Sequence, residues 1–145
     1  MKQKTTTTAT ATAALSSSTL KVLPITDVED IPKLIDVWFA AFHIMGYMIP
    51  DTPKIRKWMD IGIHDDFKDE SQIYVKVVDT ATSDQQIVGY ANWHWGNIRT
   101  WKERYPSVVD GMDVSGVIDR FFGREDDNRQ RIVGGKRHYC TFLGG

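Results

Sequence analysis

The chain has 145 residues, 41% of them hydrophobic, and a formal net charge of -1. This length suits a single domain, and the near-zero charge excludes the broad basic field that attracts nucleic acid or anionic membranes. The single cysteine, Cys140, excludes an intrachain disulfide, and the sequence contains no apolar run of about 18 residues that could span a membrane, so we expect a cytoplasmic protein.

Residues 1–18 differ in composition from the rest of the chain. Their sequence, MKQKTTTTATATAALSSS, contains no large apolar side chain except Met1 and Leu15. Such a segment buries too little surface to offset the entropy lost on ordering, so we predict a disordered tail before a domain at 19–145. A mitochondrial presequence is the alternative, because the segment is rich in Ser and Thr and lacks acids, but it contains no arginine.

The domain is predicted to begin with a strand and an amphipathic helix. Residues 19–25, TLKVLPI, alternate apolar and polar side chains up to a proline, which indicates a strand ending at an edge or a bend. The helix is indicated by apolar residues at helical spacing: Ile31, Leu34, Ile35, Trp38, Phe42 and Met45. A capping box of Thr26 and Glu29 is one possible start, but it places Pro32 beyond the first turn. We therefore predict Asp30 as the N-cap.

A second helix and a β-hairpin follow. The pair Thr52-Pro53 is typical of a helix start. The buried stripe of this helix is predicted to be Ile55, Trp58 and Met59. Residues 64–70, HDDFKDE, are charged and are predicted to face solvent. Residues 72–78 and 87–95, separated by the polar loop DTATSDQQ, predict two antiparallel strands.

The last part of the chain predicts a helix and a strand. After Asp113, apolar residues recur at helical spacing: Val114, Val117, Ile118, Phe121 and Phe122. The charged run GREDDNRQR continues this helix as a solvated face, and Gly134 with Gly135 ends it. Residues 137–143, RHYCTFL, form the last strand. The order strand, helix, helix, strand, strand, helix, strand predicts an α+β fold with a mixed, mainly antiparallel sheet and flanking helices.

Common motifs of phosphate, metal and hydrolase sites are missing from the sequence. It contains no G-x-x-x-x-G-K-S/T, G-x-G-x-x-G, C-x-x-C, H-E-x-x-H or G-x-S-x-G. The four histidines are scattered without ligand spacing, so no metal site is predicted. His64, beside Asp65 and Asp66, is interpreted as part of a solvated helix end rather than as a cation ligand.

The most suggestive local group is NWHW, residues 92–95. Strand alternation puts Trp93 and Trp95 on one face, and Tyr90, Asn92 and His94 on the other. We interpret the tryptophan face as packed and the opposite face as a polar surface that can line a pocket. His94 is then a candidate base near neutral pH, and the alternative is a half-exposed histidine bonded to a neighbour.

This arrangement resembles fungal members of the GNAT superfamily, the acetyl-CoA-dependent N-acetyltransferases. The first strand followed by DVEDIPKLIDVWFAAF is similar to the start of those proteins. The hairpin IYVKVVDTATSDQQIVGYANWHW resembles their second and third strands. The segments GMDVSGVIDRFFG, GGKRHY and TFLG resemble the path through their fourth strand. The resemblance covers residues 20–144 and implies an acyltransferase that moves an acetyl group to an amine.

In that superfamily the diagnostic motif follows the fourth strand. A turn and the pattern Q/R-x-x-G-x-G/A open a helix, and its N–H groups hold the coenzyme A pyrophosphate. The sequence reaches Gly145 before such a motif. The resemblance therefore implies a partial acetyltransferase domain, truncated after the fourth strand, which binds no acetyl-CoA and is inactive as these 145 residues.

The resemblance also assigns site residues. The main-chain groups of Phe142, Leu143 and Gly144 are expected to face the acetyl and pantetheine groups of the coenzyme. Tyr47, in the loop after the first helix, and His94 are expected to border the pocket for a small-molecule or peptide amine.

Three other functions compete with this interpretation. A non-catalytic module could pair with itself or with a partner through the open edge of its last strand. A hydrolase based on His94 lacks a recognisable nucleophile or metal. Nucleic-acid binding is disfavoured, because the basic and aromatic cluster Trp101, Lys102, Arg104 and Tyr105 is short and the chain is acidic overall.

Overall fold

A computed structural model describes residues 19–96, 100–104, 109–112 and 116–144 of the chain. The predicted disordered tail at 1–18 lies outside the described residues, and so does the predicted helix start at Asp113.

Four strands form one antiparallel sheet with the order β1–β2–β3–β4. The strands are β1 at Leu20–Pro24, β2 at Gln72–Asp79, β3 at Ile87–Gly96 and β4 at His138–Gly144. The predicted hairpin of β2 and β3 is confirmed, with Tyr74 opposite Asn92 and a bulge between Val77 and Val78. The predicted α+β class with a mainly antiparallel sheet is confirmed. Among the described strands, β1 and β4 are the two edges of the sheet.

The described residues also form four helices. They are α1 at Ile31–Ala41, α2 at Pro53–Asp66, α3 at Trp101–Arg104 and α4 at Val117–Val133. Two 3-10 turns, Val28–Asp30 and His43–Met45, flank α1. The predicted order of elements is confirmed, and the short helix α3 is an additional element. Helix α2 begins at Pro53 as predicted, and the Thr52 hydroxyl caps it by accepting the N–H of Ile55 at 3.3 Å.

The predicted start of α1 is confirmed, with Asp30 at the N-cap position and Pro32 in the first turn, and a separately capped 3-10 turn precedes it. The side chain of Asp27 accepts the N–H of Glu29 at 2.9 Å and caps the 3-10 turn before the helix. Asp30 occupies the N-cap position of α1, with Pro32 in the first turn, but its side chain makes no capping bond. Asp30 is buried and instead forms an ion pair with Lys76 of β2. This pair joins the start of α1 to the sheet.

Two hydrophobic clusters form the core of the described residues. The first packs α1 and α2 on the sheet: Ile25, Ile31, Leu34, Ile35, Ile63, Tyr74, Val78 and Ile87. The second lies among the helices and their loops: Met48, Ile49, Ile55, Trp101, Met112 and Ile118. The predicted stripe of α1 takes part in both clusters, because Ile31 belongs to the first and Trp38 packs against the second.

Charged segments are less solvated than their composition predicts. In the run 64–70, Phe67 packs against the first cluster and stacks on Tyr74, with ring centroids 5.0 Å apart. On the predicted solvated face of α4, the mostly buried side chains of Asp126 and Arg129 form an ion pair of 2.9 Å. Asp126 also accepts the main-chain N–H of Trp101 at 2.8 Å. The prediction of solvated segments was therefore wrong at these positions, because Phe67 and Asp126 have partners from other elements and Arg129 pairs with Asp126.

Replacing Asp30 leaves the mostly buried ammonium of Lys76 without its carboxylate. We expect Asp30→Ala to lower the free energy of unfolding by about 3 kcal/mol, because a buried charge without a partner is poorly solvated. The double variant Asp30→Ala/Lys76→Met should lose less than Asp30→Ala alone. Urea denaturation at neutral pH measures both values, with Asp84→Ala in the exposed hairpin loop as the control. An Asp30→Ala variant as stable as this control would contradict the role of the pair.

Candidate functional site

A cavity of about 750 Å³ lies between the sheet and the helices. Its walls combine aliphatic, polar and many aromatic side chains, and the aromatic ones include Trp38, Phe42, Trp58, Tyr90, Trp101 and Phe122. These side chains come from α1 and the residue that follows it, and from α2, β3, α3 and α4, so most elements of the fold contribute to one partly open cavity. The apolar stripes of α1, α2 and α4 thus serve two purposes. Part of each stripe closes the core, and part lines the cavity.

The polar face of β3 forms the floor of this site. Asn92 and His94 are 5% and 4% exposed, whereas Trp93 and Trp95 are 43% and 42% exposed. The predicted alternation along β3 is confirmed, but the prediction that the tryptophan face is packed was wrong. Helix α1 packs on the sheet face that carries the polar residues, and in the described residues Trp95 instead contacts Tyr139 of β4 at 4.3 Å between ring centroids.

A chain of hydrogen bonds sets the orientation of the Asn92 amide. The Asn92 Nδ2 donates to Gln72 Oε1 at 2.7 Å, and the Gln72 Nε2 donates to Asp66 Oδ1 at 2.8 Å. Because a carboxylate only accepts, Gln72 must turn its nitrogen to Asp66 and its oxygen to Asn92. Asn92 must then turn its own nitrogen to Gln72. Its oxygen is left for another donor.

Two buried acceptor atoms of the cavity lining have no hydrogen-bond partner among the described residues. They are Asn92 Oδ1 and His138 Nε2. The Nδ1–H of His138 donates to the carbonyl oxygen of Lys136 at 2.8 Å, so the neutral ring carries a lone pair on Nε2. Leaving a buried acceptor unsatisfied costs about 1–3 kcal/mol. Both atoms therefore favour a bound molecule that donates hydrogen bonds.

Acidic groups outnumber basic ones among the charged residues of the lining. The carboxylates are those of Asp66, Glu125 and Asp126, and the guanidinium is that of Arg129, which pairs with Asp126 at 2.9 Å. Asp66 receives the Tyr74 hydroxyl at 2.8 Å in addition to Gln72. A lining of this composition favours a cationic or donor-rich ligand over an anion.

His94 lies on the same face of β3 but outside the described cavity lining. Its Nε2 is 4.0 Å from Asp69 Oδ2. The hydroxyl and the N–H of Ser71 donate to Asp69 at 2.6 and 3.0 Å. The Ser71 hydroxyl is the main cause that holds the pKa of the Asp69 carboxyl below its usual value, with His94 adding a smaller effect. The alternative of a half-exposed His94 was wrong, since it is buried, and its role as a base stays a prediction.

The other predicted site residues are Tyr47 and residues 142–144. Tyr47 is 74% exposed and is not part of the described lining, so its contact with an amine stays a prediction. Phe142, Leu143 and Gly144 lie in β4, where they are paired with Asn92, Ala91 and Tyr90.

The direction of the main-chain groups distinguishes these three β4 residues. The N–H of Trp95 donates to the carbonyl of Ser71 on the β2 side of β3, at 3.0 Å. Main-chain groups alternate in direction along a strand, so those of Asn92 and His94 point towards β4. In the observed register, Phe142 and Gly144 then bond to β3, and Leu143 turns its N–H and C=O to the open edge. Leu143 is thus the one of the three with main-chain groups available for a coenzyme.

No family model and no curated protein matches the chain. Among solved structures, the chain is similar to a predicted acetyltransferase with acetyl-CoA from Clostridium acetobutylicum, at 11% identity and a TM-score of 0.41. That similarity covers 77% of this chain and 74% of the other. A similarity of this size does not establish a shared function.

No helix of the described residues combines the length and apolarity needed to cross a bilayer. Within the same residues, no group of three or more His, Cys, Asp or Glu side chains is placed to hold a metal ion.

Several polar residues of the site were not predicted from the sequence, and Asp66 and His138 are two of them. The position of Asp66 could have been noticed, because a carboxylate in the last turn of a helix is unfavourable with the helix dipole and needs hydrogen-bond donors nearby. His138 carried no such signal, since its burial depends on elements that are distant in sequence.

Removing the Asp69 carboxylate tests how its contribution to the free energy of unfolding depends on pH. We expect Asp69→Ala to lower the free energy of unfolding by about 1 kcal/mol at neutral pH, because Ser71 loses its acceptor. The pKa of Asp69 is lower in the folded chain than in the unfolded chain, whose value is near 3.8. The contribution of Asp69 is therefore complete above the unfolded value and is lost as the pH falls through the folded value.

Urea denaturation at about pH 6 and at about pH 2 measures this loss. The stability difference between wild type and Asp69→Ala should be smaller at the lower pH, and Asp84→Ala serves as the control. A difference that does not change with pH would contradict the assignment.

Proposed function

We propose that the chain forms a GNAT-like N-acetyltransferase domain in which the cavity binds the acceptor amine beside β4. The position of Asn92 carries this proposal. Its open acceptor Oδ1 belongs to the cavity lining, and its main chain pairs with Phe142. Residues 142–144 are those to which the family resemblance assigns the acetyl group. Paired residues of this kind lie about 5.5 Å apart at Cα, so an amine at Asn92 is close to that position.

The contribution of the chain to the reaction is positioning. Acetyl-CoA supplies the acetyl group as a thioester when it is bound. The amine nitrogen attacks the carbonyl carbon, the N–C bond forms, the C–S bond breaks and the thiolate leaves with its electron pair, while the amine proton passes to a base. Asn92 Oδ1 accepts one N–H of the amine and so orients its nitrogen, and the aromatic walls reduce the contact of the amine with water. We retain His94, two residues along the same face, as the candidate base, and Tyr47 as a residue at the pocket border.

The open edge of β4 fits one part of the coenzyme. The N–H and C=O of Leu143, turned away from β3, can pair with the amides of a pantetheine arm as a neighbouring strand would. The pyrophosphate has no matching set of N–H groups among the described residues. The pattern Q/R-x-x-G-x-G/A occurs once in the sequence, at 86–91, where it runs into β3 and does not open a helix. We therefore propose that these residues hold the acetyl end of the donor without the nucleotide end.

A comparison of two acetyl donors tests this function. The 145-residue chain is mixed with a primary amine and either millimolar S-acetylpantetheine, which lacks the nucleotide, or micromolar acetyl-CoA, and the N-acetylated amine is quantified by mass spectrometry. We expect acetylation from S-acetylpantetheine to be about tenfold faster than without protein, because the two reactants are held together. Micromolar acetyl-CoA should give no acceleration.

Asn92→Leu keeps the side-chain size, removes the acceptor and should abolish the acceleration. Gln130→Leu, which removes an exposed amide of α4 outside the cavity lining, should leave the acceleration unchanged. If no amine is acetylated faster than in buffer, the acyl-transfer proposal fails. Turnover of micromolar acetyl-CoA would instead refute the expected inactivity of these residues with the complete coenzyme.

The same strand favours a second function, the pairing of two copies of the chain. On its outer side β4 has no neighbour among the described strands. By the observed register, Tyr139, Thr141 and Leu143 turn their main-chain groups to that side. Exposed strand edges pair readily with other strands, so we propose β4 as the contact of a dimer.

Proline substitutions distinguish the two sides of β4. Thr141→Pro removes an N–H from the open edge, whereas Phe142→Pro removes one that bonds to β3. We expect analytical ultracentrifugation to show a dimer for the wild type and a folded monomer for Thr141→Pro. Phe142→Pro should instead lower the free energy of unfolding. A wild-type chain that is monomeric at every accessible concentration would contradict the dimer.

A further inference from the structure

We infer that the cavity selects an aromatic primary amine, with the amino group at Asn92 and a planar ring among the tryptophan and phenylalanine side chains. The inference rests on the proposed function for the identity of the amine. The cavity walls determine the second part of the ligand, the ring system that carries the amino group.

The walls of the cavity favour a flat ring over a flexible chain. Trp38 of α1 and Phe42, the residue after α1, lie 5.3 Å apart between ring centroids. Trp101 of α3 and Phe122 of α4 lie 5.6 Å apart. Both pairs have tilted rings, at 38° and 35°. Aromatic rings prefer other aromatic rings at centroid distances of about 4.5–7 Å, so a planar ligand finds partners of the right kind here. An aliphatic chain fills the same space without those contacts and loses more rotational freedom.

The volume of the cavity favours a ring system larger than a single ring. A cavity of about 750 Å³ is within the range that encloses drug-sized ligands. A fused bicyclic ring system fills it better than a single small ring. An indole carried on a short alkyl amine is therefore a suitable probe.

The Asn92 amide determines the polar end of the ligand. Its nitrogen is held by Gln72, which is held in turn by the Asp66 carboxylate. The amide cannot present its NH₂ group to the cavity without breaking both bonds, so Asn92 accepts and does not donate there. An amine or ammonium group supplies the donor, whereas a carboxylate of the same shape has no proton to give. The acidic lining adds to this discrimination against anions.

His138 adds a second requirement at the other end of the cavity. In the register of β3 and β4, His138 pairs with Gly96, four residues along β3 from Asn92. This separation is about 13 Å along the strand, so one amino group cannot reach both acceptors. A ring that carries its own donor, such as an indole N–H, supplies the hydrogen bond that His138 Nε2 lacks. Together the two acceptors fit an elongated ligand with donors at both ends.

Calorimetric titration of the full chain, without any acetyl donor, tests this selectivity. The probes are tryptamine, hexylamine, indole-3-propionate and N1-methyltryptamine. We expect tryptamine to bind about tenfold more tightly than hexylamine, because only tryptamine gains the ring contacts. Indole-3-propionate, which has the ring and an anionic end, should give no heat of binding. N1-methyltryptamine should bind about tenfold more weakly than tryptamine, since it lacks the ring donor.

Two variants connect these preferences to the named atoms. Asn92→Leu should weaken tryptamine at least tenfold while keeping the circular dichroism spectrum of the wild type. His138→Phe should bind tryptamine and N1-methyltryptamine equally. Gln130→Leu is the control for both.

The outcomes separate this inference from the proposed function. Hexylamine or indole-3-propionate binding as tightly as tryptamine would overturn the inference, even if amines are acetylated. Tight tryptamine binding that Asn92→Leu does not weaken would overturn the assigned orientation. Selective tryptamine binding without any acetyl transfer would support the inference and remove the proposed function.

Discussion

The Asp66 carboxylate determines which atoms the cavity presents to a ligand. It can only accept, so the Tyr74 hydroxyl and the Gln72 amide must both donate to it. The Gln72 amide then has only one possible orientation, and so does the Asn92 amide that donates to it. Asn92 ends the chain of hydrogen bonds, and its oxygen faces no donor among the described residues. Reversing one amide would set two acceptors or two donors against each other. The polarity of the floor thus originates in a residue at the end of α2.

Elements with strong periodicity were predictable from the sequence. The stripes of α1 and α2 and the alternation of β2 and β3 each extend over several turns or pleats, and their positions agree with the structure within a few residues. Helix α3 has four residues, which is too short for a period to appear. The N-cap position of α1 at Asp30 was predicted, but the preceding 3-10 turn with its Asp27 cap and the partner of Asp30 in the sheet were not, because neither leaves a periodic pattern.

The site was less predictable, because it depends on which face of the sheet the helices cover. The sequence of β3 places Asn92 and His94 together on one face, but its large tryptophans suggest burial of the other. The apolar stripe of α1 packs on the polar face, and the ion pair of Asp30 with Lys76 joins the start of the helix to it, so tertiary packing overrides the hydrophobicity of the strand. The orphaned acceptors follow from the same contact, since they are buried by helices from other parts of the chain.

The exposure of β1 has a consequence for how the sheet opens. All five of its residues are exposed, and the first buried residue after it is Ile25, so main-chain pairing with β2 is what holds this strand. Detaching it removes little apolar surface from the core, and such local openings need far less free energy than global unfolding. Amide hydrogens of β1 should therefore exchange with solvent faster than those of β2 and β3. Each opening uncovers the edge of β2, which gives the sheet an intermittent second edge for strand exchange between molecules.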